Sequence, residues 1–469
     1  MDVHEIAALI EARSAEYDAL ARDIWEHPEP AFAEERSSAL HREFLAREGF
    51  RVKECPEMPH SFMAEQGEGG AIVGIMGEYD ALPGMSQACS TRREALVEGG
   101  PGHACGHNLL GVGALAAAAA LAEALRRSGA SGRVRYYGCP AEEALGRIPL
   151  VRAGRFDDLS AALTWHPADV NTPHRYATSA SVALVFRFTG RASHAAMAPQ
   201  VGRSALDAVQ LMNLGIEFLR EHVEPGTLFH YVITDGGKRP NIVPETAALS
   251  LYIRAPRAEG VRDALRRVIK VARGAAMMTE TRVSFEATHG KSDFIPNDAL
   301  HGAMLAAMLE LDLPALGEDE LAFARELAGT VAKKDRGATL SMIGAPESLL
   351  AGSVHRAVGD FGRGYRIGGS LDVGDVSYIV PVGQLNAAAW PLGIGAHTWQ
   401  SCAASGSTMA AKAMRWAAAI IAYTGLRVLA EPGLRESAAS EHRASARPWR
   451  STMDLPGRPA SGPDFSRRN

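Results

Sequence analysis

Residues Gly102–Ala144 read GHACGHNLLGVGALAAAAALAEALRRSGASGRVRYYGCPAEEA, and three patterns in this stretch set the architecture around it. Cys105 and His107 stand two apart, so an extended segment projects both side chains to one side, where they can hold the same ion. The run from Leu109 to Ala122 is apolar and Ala-rich. It is shorter than the roughly 18 to 20 apolar residues that a membrane span needs, and it reads as a buried helix. RVRYYG then reads as a strand that delivers CPAEEA, with Glu142 and Glu143, at its carboxyl end. Upstream, Ala71–Gly84 is strand-like, while residues 85–101 lack a hydrophobic period and read as a long loop of the kind that lines a site. Short strands alternating with helices predict an α/β sheet flanked by helices, with sites beyond the carboxyl ends of the strands.

Further along, the pattern changes. SVALVFRF is a strand, SALDAVQLMNLGIEFLREHV a long amphipathic helix capped by Ser204, and TLFHYVIT and TAALSLYIR are strands. EGVRDALRRVIKVARGAA is a helix and TRVSFEA a last strand. The order strand, helix, strand, strand, helix, strand is the ferredoxin-like split unit, whose neighbouring ends suit a domain inserted into another. The expected division is a catalytic domain from residues 1–178 and 289–430, an α+β lid over residues 179–288, and a tail over 431–469. Residues 315–364 are helical at first and then Gly-rich, an excursion over the site. A closing helix spans about Ser407–Gly425. Past Glu431 the Ser, Arg and Pro content rises and periodicity fades, so the tail is expected to be peripheral or disordered.

With 469 residues the chain is too long for one core. A hydrophobic fraction of 46%, a charged fraction of 22% and a net charge of -5 provide no basic field for nucleic acid. Five cysteines (Cys55, Cys89, Cys105, Cys139, Cys402) are few and odd in number, which argues against a disulfide framework and for a reducing compartment. The N-terminus is charged and helix-periodic, without an apolar signal core. A cytoplasmic chain without a membrane span is the expectation.

Cys105, His107, Glu142 with Glu143, His166 of TWHP and His397 of GIGAHTWQ all fall at predicted strand ends or in Gly-rich and Pro-rich turns. Thiolate, imidazole and carboxylate are the groups that bind zinc and its neighbours, so the set points to a metal-dependent hydrolase. Adjacent carboxylates point different ways, which lets one hold an ion while the other moves a proton. Cys139 reads as core packing, and His103 as either a loop residue or a partner that supports a metal ligand.

GEYDALPG, HACGHNLLG, CPAEE, TWHP, GRASHAA with GRSALDA, PNIVP with LYIR, DVGDVS and GAHTWQ resemble the M20 metallopeptidase and amidohydrolase family, within its aminobenzoyl-glutamate hydrolase B-subunit branch and near the aminoacylase-like dipeptidases. The resemblance runs from about Trp25 to Gly425. It implies that Cys105, His107, Glu143, His166 and His397 hold two divalent ions, with Glu142 as general base and Asp80 as the supporting aspartate. It also implies that the inserted unit is a lid and dimerisation domain in which His194, Asn241 and Arg254 contact substrate. In other branches a metal-binding histidine stands at the position of Glu78, and relatives show a Gly-rich run where this chain has ALGRIPL. A cysteine ligand favours zinc, while imidazole and carboxylate also permit manganese, cobalt or nickel. The reaction implied is hydrolysis of an amide between an acyl group and an amino acid, by a homodimer or beside a paralogous subunit. A dipeptidase or aromatic-amine deaminase, and a non-catalytic partner subunit, are the rival readings.

Overall fold

The structure is a computed structural model that describes residues 1–445 and 447–455. Among the described residues eleven strands make two sheets: β1 (Arg51–Glu54), β2 (Phe62–Glu68), β3 (Ile72–Glu78), β4 (Gly132–Cys139), β5 (Ala161–Ala168), β6 (Thr172–Pro173), β7 (Ala180–Thr189), β8 (Leu228–Asp235), β9 (Thr246–Ala255), β10 (Arg282–Lys291) and β11 (Val382–Ala388). The larger sheet has the order β1-β2-β4-β3-β5-β11-β6. Its centre, β4, β3, β5 and β11, is parallel, while β1, β2 and β6 are antiparallel. Every residue of β3 and β11 is buried, as befits central strands covered on both faces. The chain passes from β4 on one side of β3 to β5 on the other, and such a switch point leaves a crevice at the carboxyl ends.

Helix His107–Ser128 packs along this sheet, with the closing helix Thr408–Ala430 against it in the same core. It is long and apolar enough to cross a membrane, but 94% of its apolar window is buried inside the protein. Its start is set by two glycines. Gly106 has φ 76° at the N-cap, a left-handed conformation that glycine adopts without a Cβ penalty. A Cβ on Gly111 would stand 2.3 Å from the carbonyl oxygen of Glu78, so only glycine lets the helix lie this close to the end of β3.

The inserted unit forms the second sheet, of order β10-β7-β9-β8 and antiparallel throughout. Buried and half-exposed residues alternate along β9. Helices Ala205–Leu219 and Ala258–Met278 cover the apolar face, the latter through Val261, Leu265, Val268 and Ala272, a helical stripe. Ser204 caps the former by accepting from the Asp207 amide at 3.1 Å.

Two expectations are corrected. The first helix is two, Val3–Glu11 and Ser14–Glu26; the turn at Arg13 places its guanidinium on both Glu16 and Glu48, at 2.7 and 2.8 Å. The tail was expected to be peripheral or disordered; its described part is peripheral but ordered. Helix Pro432–Ser445 lies against helix Asp298–Glu310, and the Glu441 carboxylate accepts from the amides of Asp298 (2.7 Å) and Ala299 (2.9 Å) at that helix's first turn. Trp449 then donates to Asp375 at 2.7 Å, and Ser451 and Thr452 are fully buried. Helix Pro432–Ser445 buries only Ala438 fully, with Leu434 packed against the main core, so it carries no hydrophobic period. Residues 456–469 of the expected tail lie outside the described residues.

Candidate active site and metal centre

The four central parallel strands each deliver part of one cluster beyond or near their carboxyl ends: Glu78 and Asp80 from β3, Glu142 and Glu143 from β4, His166 from β5, and His397 from the loop after β11. Cys105 and His107 enter from the turn that starts the Ala-rich helix. The ligand atoms of Cys105, His107 and His166 lie within 4.8 Å of one another, as do those of Cys105, Glu143 and His397. The two sets share Cys105, and thiolate, imidazole and carboxylate together would suit divalent metal ions. His107 Nε2 and Glu143 Oε1 are buried without a hydrogen-bond partner, although His397 Nε2 is 2.9 Å from that Glu143 oxygen and Glu78 Oε2 is 3.2 Å from His107 Nε2. Orphaned lone pairs of this kind in a buried site are what a cation satisfies.

Asp80 ties the centre together. Its Oδ1 stands 2.8 Å from His107 Nδ1 and its Oδ2 accepts the Glu143 amide at 2.9 Å, so one carboxylate orients two members of the donor set. Ala141 and His397 hold φ of 54° and 63°, a region that costs a non-glycine residue on the order of 1 to 3 kcal/mol and persists where surroundings enforce it. The first aims the Glu142–Glu143 pair and the second brings His397 back over Glu143.

Glu142 stands outside both Cys105 sets and groups instead with Glu78 and His107. Its Oε1 accepts from Lys291 Nζ at 2.5 Å and from the Asp372 amide at 3.2 Å, while Oε2 accepts no hydrogen bond among the described residues. Burial pushes the Glu142 carboxyl up, but Lys291 outweighs it and keeps the group below its usual range. Behind this pair, Arg147 is fully buried between Glu78 Oε1 at 2.6 Å and Asp372. Lys291, Arg147, Glu78 and Asp372 were not singled out as site residues from the sequence. The available signals were the ALGRIPL departure, the missing histidine at Glu78 and the DVGDVS motif. Cys139 is core, its thiol pushed to about 12 by burial, and His103 is buried with Nε2 on the Ile24 carbonyl at 3.1 Å.

The inserted domain's residues stand apart. His194 and Asn241 are exposed and share a turn region in which Ala195 N donates to the Asn241 carbonyl at 3.0 Å. His194 Nδ1 accepts the amides of Ala196 and Met197 at 3.2 and 3.1 Å, and no hydrogen bond joins either residue to the donor cluster among the described residues. Arg254 Nη1 donates to Gly368 O (3.2 Å) and Ser370 Oγ (3.0 Å) of the catalytic domain. Beside them, the edge strand β8 exposes Tyr231, Val232 and Ile233, and helix Ala205–Leu219 exposes Leu214 and Phe218.

Comparison with known proteins agrees with this geometry. The peptidase dimerisation domain (M20) matches residues 176–277. The B-subunit of the p-aminobenzoyl-glutamate hydrolase of Escherichia coli is 38% identical over 92% of this chain and 93% of its own length. The chain belongs to the M20 family of metallopeptidases and amidohydrolases. Xaa-Arg dipeptidase of Mus musculus is 29% identical over 93% of this chain and 91% of its own length. Among solved structures, a dinuclear metal-binding M20 peptidase of Bacillus subtilis superposes with a TM-score of 0.57 at 17% identity, covering 90% of this chain and 99% of its own. The M20 chain is thus a hydrolase of amide bonds with an inserted dimerisation domain, and its donor set suits divalent metals.

The electrostatics of this M20 centre set how it takes up metal. Burial raises the Cys105 thiol, but His107 and His166 hold it down at about 7. Burial lowers His166, yet the Cys105 thiolate lifts it to about 9. Hydrogen bonding to Cys105 and then to Glu143 lifts His397 to about 10. An incoming cation must displace these imidazole protons, so the apparent metal affinity is expected to rise with pH between about 7 and 10, with protons released on binding. Calorimetric titration of chelator-treated protein in buffers of different ionisation enthalpy checks this; affinity independent of pH would contradict it.

Proposed function

We propose that this chain hydrolyses the amide joining an acyl group to an amino acid, with an aminobenzoyl-glutamate-like or other N-acyl amino acid as substrate. It works in the cytoplasm as a homodimer with two ions per chain, zinc or manganese. The observation that carries the reading is the pair of overlapping donor sets around Cys105 with Glu142, a carboxylate held by Lys291, beside them. Ions bound by Cys105, His107, His166, Glu143 and His397 would acidify water and polarise the scissile carbonyl. Glu142 takes the proton from the attacking water at its free oxygen and passes it to the leaving nitrogen. Lys291 keeps Glu142 ionised and fixes its direction, and Asp80 fixes His107. The names of the E. coli and mouse relatives support an acyl-amino acid or dipeptide substrate, while the intact donor set argues against an inert partner subunit.

In this reading Arg254 pairs with the substrate carboxylate, for which its fork geometry is suited. Asn241 adds a donor, and His194, reaching a neighbouring subunit's site, stabilises the oxyanion. The exposed apolar edge of the inserted sheet supports self-association. Arg254→Ala is expected to raise KM chiefly for substrates with a free carboxylate and His194→Ala to lower kcat. Subunit-exchanged mixtures of His194→Ala and Glu142→Gln protein are expected to regain turnover; none regained would refute the shared site. The reading as a whole is tested by screening N-acyl amino acids and dipeptides against protein reconstituted with zinc, manganese, cobalt or nickel, and hydrolysis of none would overturn it.

A further inference from the structure

Residues 447–455 have no part in the chemistry above, yet they bind both domains at once. They follow helix Pro432–Ser445 and run beside residues 290–293, where the inserted domain re-enters the catalytic domain. On the inserted side, the Arg450 carbonyl accepts from Arg262 Nη1 of helix Ala258–Met278 at 3.0 Å. Thr452 and Met453 close over Gly290, where an added Cβ would stand 2.5 and 2.6 Å from their side chains. On the catalytic side, Asp454 pairs with Arg152 at 2.5 Å and Trp449 Nε1 donates to Asp375 at 2.7 Å. The Trp449 ring packs against both the core of the inserted domain and a core cluster of the catalytic domain.

These contacts converge on Ser292. Its amide and its hydroxyl donate to the two oxygens of Asp375, at 3.1 and 2.7 Å, and both residues are fully buried. The oxygen that takes the Ser292 hydroxyl, Oδ1, also takes the Trp449 donor. Further on, the amides of Phe294 and Ile295 donate to Thr178 Oγ1 and Ser377 Oγ, each at 3.0 Å. Lys291, whose ammonium holds Glu142, therefore lies between Gly290, covered by the chain end, and Ser292, anchored on Asp375. Burial raises the Asp375 carboxyl against the pull of Ser292, Trp449 and the Lys291 charge. A buried carboxylate short of donors would draw that ammonium to itself. With Ser292 and Trp449 satisfying it, Asp375 leaves Lys291 to Glu142.

We propose that residues 447–454 strap the inserted domain onto the catalytic domain, and that Trp449 is a positioning residue that sets Lys291 on Glu142 through Asp375 and Ser292. The inference rests on the role of Glu142 given above and adds what holds its partner in place. Lys291 ends β10 of the inserted domain, whereas Glu142 follows β4 of the catalytic domain. An ammonium carried by one domain and a carboxylate carried by the other stay paired only while the domains keep their distance, since a hydrogen bond is lost within about 1 Å of lengthening. The strap bonds both sides of this joint. Releasing it frees the ammonium from the proton acceptor without removing any group that touches substrate or metal.

The test uses the full-length chain. Trp449→Phe keeps a ring in place and removes the donor, and Ser292→Ala removes the hydroxyl and repeats each measurement should the first variant fold poorly. Hydrogen exchange of residues 291–295 in metal-free protein reads the docking directly, because the amides of Ser292, Phe294 and Ile295 are held by catalytic-domain side chains. It is expected to quicken about fivefold in both variants, as the loss of one buried hydrogen bond allows, with helix His107–Ser128 unchanged. With zinc or manganese restored, kcat on 4-aminobenzoyl-glutamate is expected to fall about tenfold, the usual cost of losing a group that orients another, while KM and metal content hold. In a Lys291→Met background the same substitutions are expected to change kcat by less than about twofold, because residues that act as one unit are not additive. Exchange unmoved in both variants, kcat unmoved in both, or a loss of about tenfold repeated beside Lys291→Met would each overturn the strap while leaving the hydrolase in place. Were the unaltered chain to cleave no N-acyl amino acid, the hydrolase reading would fall, and the exchange comparison would still decide the strap.

Discussion

Glu142→Gln is expected to keep its full metal complement and to lose about a hundredfold or more of its turnover, the usual worth of a positioned acid or base. The change removes the group that accepts a proton and leaves the shape intact: the Gln amide can still fill the space beside Lys291 and the Asp372 amide. Glu143→Gln is expected to do the reverse. Glu143 is a member of the Cys105 and His397 donor set, and an amide is a far poorer partner for a divalent cation than a carboxylate. Metal content by mass spectrometry together with kcat at saturating metal separates the two. Identical behaviour of the two variants would show that the division of labour between the adjacent carboxylates is wrong.

Arg147→Met is expected to destabilise the fold by about 3 to 5 kcal/mol, the cost of removing one partner from a buried ion network. Arg147 and both carboxylates it serves, Glu78 and Asp372, have side-chain exposures of 0%, 4% and 1%. Without the guanidinium, two carboxylates remain in a dry interior with no cation between them. They must either ionise at high cost or take up protons and lose their geometry. Adding Glu78→Gln and Asp372→Asn to Arg147→Met is expected to recover part of the loss, because neutral side chains carry no such penalty. Thermal unfolding of the single and triple variants checks this, and a triple variant less stable than the single one would refute it. Since Asp372 also donates its amide to Glu142, the single variant is expected to lose activity beyond its loss of stability.

Much of the architecture was legible because it is written in periods. The alternation along β9, the 3.6-residue stripe of helix Ala258–Met278 and the apolar run after His107 are each local, and each appears in the structure at the expected place. The residues of the candidate cluster were legible for a different reason: Cys105, His107, Glu142, Glu143, His166 and His397 stand in turns and at strand ends, where polar side chains have little packing role. The tail's order was not legible because its helix docks through Glu441 and through the Ala438 carbonyl, which accepts from Asn297, while Trp449 beyond the helix donates to Asp375, contacts that no hydrophobic pattern records.

Chain order alone determined that two sheets would form, that one domain would interrupt the other, and which residue types could hold metal, since these follow from local pattern and side-chain chemistry. Tertiary structure alone decided how the carboxylates are used. Lys291 lies 149 residues from Glu142, past the end of the strand TRVSFEA read from the sequence. Only the return of β10 from the inserted domain places its ammonium on Glu142. Arg147 stands where relatives show a glycine-rich run, and becomes a counter-ion only when β3 brings Glu78 to one side of it and the start of DVGDVS brings Asp372 to the other. Which charges neutralise one another in a buried site depends on through-space distance in a medium of low dielectric, and spacing along the chain carries no record of that.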